Sequence, residues 1–261
     1  MAQAKDKVVD VLKFKIEEDG SFKRPETSFR NFVEKGGKFE PEIAVTVVSP
    51  RMGSLGWPFA NVDDYPGTDV DSLNNAEHVK DIYFKVDPDF QGSFVSIVLF
   101  SVPILWDKKT QTIVNNESSE IIRIFNTAFD EFIAEEKAAL DFYPANLRPE
   151  IDKVNELVYE NINNGVYRAG VATSQAAYEK AVTEVFEALD QVEKILEGQE
   201  YLVQNILTEA DIRLFVTIIR FDVVYFGHFK CNLRTIRDGY PAVHSLDCKT
   251  TSKLNSIAKQ Q

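Results

Sequence analysis

"VPILWDKKTQTIVNNESSEIIRIFN", residues Val102–Asn126, decides how the chain is read. The stretch reads as a buried strand, a polar turn, a second short strand, and a helix entered through Asn115, Asn116, Glu117, Ser118 and Ser119. First-turn amides of a helix point outward with no intrahelical partner. A ligand carboxylate can therefore be held by the Ser118 amide and hydroxyl at the positive end of the helix. Glu117 can hold an ammonium group beside it. A ligand with both groups on one carbon is an α-amino acid moiety. The same residues also serve as an ordinary helix cap, and the pattern alone leaves both readings open. Pro103 stands inside a β-branched run, where it marks an edge, a bulge or a cis bond. A cis Val102-Pro103 bond would expose the Val102 amide and carbonyl to an extended peptide pairing as an added strand. The two features together describe a site for a short peptide with a free amino-acid end.

Composition excludes several partners. The chain has 261 residues, 44% hydrophobic and 27% charged, which suits a globular protein of two modest domains. Its formal net charge of -12 argues against nucleic acid or an anionic membrane, each of which needs a cationic face. No apolar run approaches the roughly 18 residues of a membrane span, and "MAQAKDKVVDVLKF" lacks the apolar core of a signal peptide. The expected location is cytoplasmic. Two cysteines, Cys231 and Cys248, and three scattered histidines, His78, His228 and His244, offer neither a disulfide framework nor metal-ligand spacing. No metal is expected.

The chain changes character along its length. Up to about Asp107 it is rich in Gly, Pro, Asp and β-branched residues, and "AVTVVS" (Ala44 to Ser49) and "VSIVLFSVPILW" (Val95 to Trp106) predict strands buried on both faces. The long turn-rich segment between them has the look of a functional or disordered loop. From about Glu117 helical periodicity dominates. Ile151, Val154, Val158 and Ile162 share one helix face, as do Tyr178, Val182, Val185, Leu189, Val192 and Leu196, with Ser174 as N-cap and Gly198 as the stop. Thr208 and Asp211 form a capping-box variant ahead of a helix whose face is Ile212, Phe215 and Ile219. The architecture expected is a small α/β domain and an all-helical one.

Four segments, "WDKKTQTIVNNESSEIIRIFN", "ENINNGVYRAG", "TEADIRLF" and "RFDVVYFGHFKCN", resemble the glutathionyl-hydroquinone reductases, the xi class of the omega-like glutathione transferases. The resemblance runs, with interruptions, from about Phe22 to Pro241. It implies an α/β thioredoxin-like N-terminal domain over residues 1–125, an all-α glutathione transferase C-terminal domain over 126–241, and a homodimer. It also implies the reaction. A catalytic cysteine takes glutathione from a glutathionyl-hydroquinone as a mixed disulfide, and a second glutathione releases it as glutathione disulfide. By motif, Trp57 in "GWPF", Val102, Pro103, Glu117 and Ser118 resemble the glutathione-binding residues. Tyr167 in "NNGVY" and Tyr225 in "RFDVVY" resemble tyrosines of the hydroquinone pocket, although each alone also reads as a core residue. Glutathione is the implied cosubstrate, with quinone-derived small molecules as partners.

The chain departs from that pattern at three places. No "CPWAHR"-like motif, which sets the reactive thiol at a helix start in the family, occurs in the sequence. "GKFEPE" passes directly into "IAVTVVSPRMG", where family members carry roughly thirty more residues, enough for a strand and the cysteine-bearing helix. "GSFVSIVLFSVPILW" is longer than the family pattern, and "HSLDCKTTSKLNSIAKQQ" has no family likeness, so residues 242–261 are expected to be disordered. Wrongly predicted splice junctions would produce all three departures; a divergent thiol-less paralogue is the rival explanation. With the first strand and helix gone, the N-terminal domain is expected to expose apolar surface. Cys231 reads as structural, and Cys248 lies in the unrelated tail. The functions left open are glutathione-dependent reduction, impaired for want of the thiol, and a non-catalytic glutathione-binding or protein-interaction module.

Overall fold

The structure is a computed structural model that describes residues 16–24, 26–31, 44–90 and 100–258. The described chain divides into two compact units: residues 26–138 form the first, and residues 139–258 with 16–24 form the second. This division lies about a dozen residues beyond the one expected at 125 and 126. Two local features shift the boundary. The helix that begins at Ser118 runs to Thr127 and is followed within the same unit by a 3-10 turn, Asp130–Phe132, and a short helix, Glu135–Ala138. Residues 16–24 join the helical unit because Gly20 sits on the start of a later helix, its carbonyl accepting from the Thr173 amide at 3.0 Å. The Ser174 hydroxyl donates to the Asp19 carbonyl at 2.7 Å.

In the first unit, α1 (Val79–Val86) precedes the antiparallel pair β1 (Leu105–Asp107) and β2 (Thr112–Asn115), and α2 (Ser118–Thr127) and α3 (Glu135–Ala138) follow. Asp107 closes the β1–β2 turn by accepting the Lys109 and Thr110 amides, each at 3.0 Å, as a turn-initiating Asp does. Phe59, Ala76, Val79, Ile82, Tyr83 and Ile113 form the core. The order strand, turn, strand, helix expected of residues 102–126 is present, and the Val102-Pro103 bond is cis.

The run Ala44–Ser49 is not the two-face-buried strand its composition predicted. It is extended, but Val45 is 79% exposed and Val47 44%. It is tied to the following loop, with the Asp69 amide donating to the Val47 carbonyl and the Ser49 amide to the Pro58 carbonyl, both at 2.8 Å. β-branched composition describes a residue that tolerates burial; burial itself needs packed neighbours on both faces. Residues 95–99 of the other predicted strand, and the junction at Glu42 and Ile43, lie outside the described residues. Phe125 and Phe132 of this unit are also exposed.

The second unit is all-helical. In it α4 (Arg148–Val158) continues through a π turn into α5 (Gly165–Val171), followed by α6 (Gln175–Leu196), α7 (Glu209–Arg220), a π turn at Phe221–Tyr225, α8 (Ile236–Gly239) and α9 (Pro241–Ala258). Ile151, Val154, Val158 and Ile162 are buried as their spacing predicts. Ser174 caps α6 by accepting the Ala177 amide at 3.2 Å, and α6 ends two residues before Gly198.

Two expectations fail here. The buried face of α7 is Ala210, Leu214, Thr217 and Ile218, while Ile219 is 45% exposed and Ile212 and Phe215 are half-buried. Residues 242–258, expected to be disordered, form α9. Glu193, from α6, accepts the Ala242 and Val243 amides at 2.8 and 2.9 Å and so caps the new helix. Val243, Leu246 and Thr250 at helical spacing then provide a narrow buried stripe. The stripe is imperfect: Thr250 is fully buried, yet its Oγ1 has no hydrogen-bond partner among the described residues. Thr250→Val removes a stranded hydroxyl at nearly constant shape. It is expected to stabilise the unit by about 1 kcal/mol, read as a higher midpoint in denaturant unfolding; a lower midpoint would show that the hydroxyl is hydrogen-bonded after all.

Candidate functional site

The entrance to α2 is built by two asparagines. Buried Asn115 accepts the Glu117 amide through Oδ1 at 2.7 Å and donates through Nδ2 to the Asn31 carbonyl at 2.9 Å and to Glu120 Oε2 at 2.8 Å. Asn116 accepts the Phe29 amide at 3.0 Å and donates through Nδ2 to the Tyr83 hydroxyl at 2.8 Å. That hydroxyl in turn donates to the Ser101 carbonyl at 3.0 Å. A continuous chain therefore links the residue before Val102 to the residue before Glu117. Burial raises the Tyr83 pKa, so its phenol stays a neutral donor and acceptor in that chain.

Glu117 is the N-cap residue. Its Oε1 accepts from the Ser119 amide at 3.2 Å and the Ser119 hydroxyl at 3.0 Å, and Oε2 accepts from the Thr27 hydroxyl at 3.1 Å. The capping reading of this residue is thus realised. A carboxylate has about four acceptor positions, so both oxygens retain capacity for a further donor. Ser118 is exposed at the first position of α2. Close by, Arg30 forks onto Glu120, with Nε to Oε2 at 2.8 Å and a second contact from its terminal nitrogen to Oε1. The Arg30 hydrogen bond lowers the Glu120 pKa, and Glu120 raises that of Arg30.

The five sequence-predicted glutathione-binding residues are not lined up along one cavity. Val102, 38% exposed, and Pro103 line an apolar cavity of about 520 Å³ with Val48, Ile104, Trp106, Ile121 and Phe125. Trp57, Glu117 and Ser118 are not among its lining residues. Trp57 packs half-buried on the core, and its carbonyl accepts the Val79 amide at 2.9 Å. Tyr83, the hub of the network, was not foreseen; in sequence it is one apolar position on α1.

In the helical unit Tyr167 and Tyr225 do come together. Their ring centroids are 5.9 Å apart at 62°. Tyr225 is 5% exposed and Tyr167 39%. Burial, then the neighbouring Tyr167 hydroxyl, drives the Tyr225 pKa far up, so it is a proton donor throughout the physiological range. A third ring that sequence reading missed, Phe229, lies 5.2 Å from Tyr167 and 5.3 Å from Tyr225.

The two thiols differ sharply. Cys231 is fully buried, and burial pushes its pKa up to about 12. A thiol so placed is protonated at neutral pH and is a poor nucleophile, in keeping with a structural role. Cys248 is exposed on α9. Among the described residues no group of three or more His, Cys, Asp or Glu is placed to hold a metal ion, and no helix is long and apolar enough to cross a membrane.

Comparison with known proteins supplies the lineage. The family described as "Glutathione S-transferase, C-terminal domain" matches residues 175–245, within the helical unit. The structure of the xi glutathione transferase of Phanerochaete chrysosporium superposes with a TM-score of 0.86 at 56% identity, over 92% of this chain and 84% of that one. The chain belongs to the xi class of glutathione transferases. Its α/β unit is the thioredoxin-like part of that fold, and its helical unit is the C-terminal domain. Among curated relatives of this xi-class chain, the glutathionyl-hydroquinone reductase PcpF of Sphingobium chlorophenolicum is 50% identical over 215 residues, 82% of this chain. The chain spans 64% of that relative's length. A glutathione-bound structure of the Escherichia coli homologue YqjG is similar at 48% identity and a TM-score of 0.71, over 77% of this chain and 62% of that one.

Proposed function

We propose that this xi-class chain binds glutathione at the α2 entrance and aromatic, quinone-derived rings at Tyr167 and Tyr225, with little or no thiol exchange. The carrying observation is the Ser101–Tyr83–Asn116 chain, which keeps the cis-proline segment and the helix entrance in register. At that entrance a ligand's amino-acid end meets the Ser118 amide and the spare acceptor capacity of Glu117, while Val102 offers its backbone to the peptide part. The relatives named as glutathionyl-hydroquinone reductases and the glutathione-bound homologue support glutathione as the ligand and a hydroquinone conjugate as the family's substrate. Thiol exchange needs an accessible thiolate. The sequence has only Cys231, whose thiol is buried and protonated, and Cys248, which is exposed on α9 beyond the residues that the family model matches.

Ser118→Asp separates binding from folding. A carboxylate at the first helical position suits the helix dipole, so thermal stability is expected to hold or rise. The same charge occupies the place of the ligand carboxylate, and glutathione affinity measured by calorimetry is expected to fall about tenfold or more. Unchanged affinity would remove the α2 entrance from the binding site. In a deglutathionylation assay, turnover by the wild type that disappears in Cys248→Ser would instead make the chain an enzyme with a relocated thiol.

A further inference from the structure

The apolar cavity of the α/β unit is built independently of the helix entrance. Its floor is the core itself, with Phe59, Val79, Ile82 and Val114 all buried, and its rim is apolar and open, with Val45 79%, Val47 44% and Leu73 45% exposed. The volume of about 520 Å³ lies within the range of about 300–1,000 Å³ typical of small-molecule sites. An open apolar rim around a recess of this size marks a surface that binds. The ionisable groups among the described lining residues are Asp71, Asp107 and Lys108. Both carboxylates are committed to backbone: Asp71 accepts the Leu73 and Asn74 amides, each at 3.2 Å, and the Ala76 amide at 3.4 Å, while Asp107 holds the β1–β2 turn. Two carboxylates against one exposed lysine repel an anionic head, and apolar walls penalise any charge placed among them.

One buried donor of the lining is unmet. Trp106, on β1, packs half-buried on the core, and Lys85 holds its ring from one side, with Nζ 5.3 Å from the ring centroid and donating to Asn74 Oδ1 at 2.8 Å and Gln111 Oε1 at 3.1 Å. The indole Nε1 is buried and meets no acceptor among the described residues. An N–H left in that state is costly, and an acceptor carried by a ligand in the cavity removes the cost. We infer that this cavity is a second ligand site, taking an uncharged, largely apolar small molecule whose one hydrogen-bond acceptor, a carbonyl oxygen, meets the Trp106 indole N–H. The site stands whether or not the α2 entrance holds glutathione, because Glu117 and Ser118 take no part in its lining. No covalent step is involved.

The test titrates the full chain, isotope-labelled for proton–nitrogen NMR, with heptan-2-one, a neutral chain with one carbonyl, and with heptanoate, the same chain length ending in a carboxylate. The sequence holds two tryptophans, Trp57 and Trp106, so two indole N–H signals are read, and the one missing in Trp106→Phe belongs to Trp106. Heptan-2-one is expected to move that signal downfield to saturation, as a new hydrogen bond requires, and to leave the Trp57 signal in place. Heptanoate is expected to bind about tenfold more weakly or not at all. Trp106→Phe keeps an apolar ring and removes the donor, and is expected to weaken ketone binding about fivefold in calorimetry. Val47→Asp, at an exposed rim position that leaves the core untouched, is expected to weaken it as well. A ketone that moves neither signal, or only that of Trp57, would overturn the site, as would unchanged affinity in Val47→Asp. Heptanoate binding as tightly as the ketone would overturn the assignment of an uncharged ligand, and unchanged ketone affinity in Trp106→Phe would overturn the role of the indole.

Discussion

Asp211→Asn is expected to destabilise the helical unit by about 3 kcal/mol. The residue is fully buried. Its two oxygens each accept a backbone amide, Leu202 at 2.8 Å and Thr208 at 2.8 Å, and the Thr208 hydroxyl approaches Oδ2 at 3.2 Å. Asparagine retains one acceptor and turns the other into a donor. One of the two amides then faces an NH2 group inside the core, where an unmet donor costs far more than a typical hydrogen bond contributes. Because these amides belong to the turn before α7 and to its N-cap, the loss releases the entry of the helix that carries Leu214 and Ile218. Chemical denaturation of wild type and variant checks the magnitude; equal midpoints would show that the capping interaction is not holding this helix.

The same residue has a pH signature opposite to that of Glu120. Desolvation raises the folded-state pKa of Asp211, the amide hydrogen bonds only partly opposing it. The proton-linked part of its effect is therefore fully present below the ordinary carboxylate range and is lost as pH climbs through the raised folded value, while the two amide hydrogen bonds that asparagine would forfeit are made in full by the ionised form. Glu120, with a pKa lowered first by Arg30, contributes above the ordinary range and loses that contribution as pH falls through its depressed value. Arg30 is about half exposed, so solvent screening keeps the Glu120 effect small.

What could be read from sequence depended on whether the determining contacts were local. Ile151, Val154, Val158 and Ile162 stood out because the intervening residues of α4 are polar, leaving one possible buried face. On α7 both the Ile212–Phe215–Ile219 and the Leu214–Ile218–Phe221 stripes are apolar, and periodicity had no ground for choosing the one that packs. The order of α9 depends on Glu193, a cap from a helix far back in the chain, which a polar tail read alone does not reveal. The functional residues divide in the same way. Glu117 and Ser118 announce a helix start within five residues, whereas Tyr83 acquires its role through Asn116 and Ser101, neither near it in sequence. Gly170 reads as a mild helix weakness until Phe229 is seen against its backbone.

That contact gives the second large effect. Gly170→Ala ordinarily favours a helix by roughly 1 kcal/mol, yet here it is expected to destabilise by about 2 kcal/mol net, because the new methyl must displace a ring root that lies 2.3 Å away. Phe229 cannot yield cheaply, since Lys230 and Cys231 are both pinned. The two positions should therefore be strongly non-additive. Phe229→Leu alone loses ring contacts with Tyr167 and Tyr225, but combined with Gly170→Ala it also relieves the overlap, so the double variant is expected to be more stable than the sum of the single losses by about 1 kcal/mol or more. Additive losses would mean that the α5 backbone shifts away from the ring. Coupling of the expected sign would show that α5 and the Phe229 loop act as one rigid support.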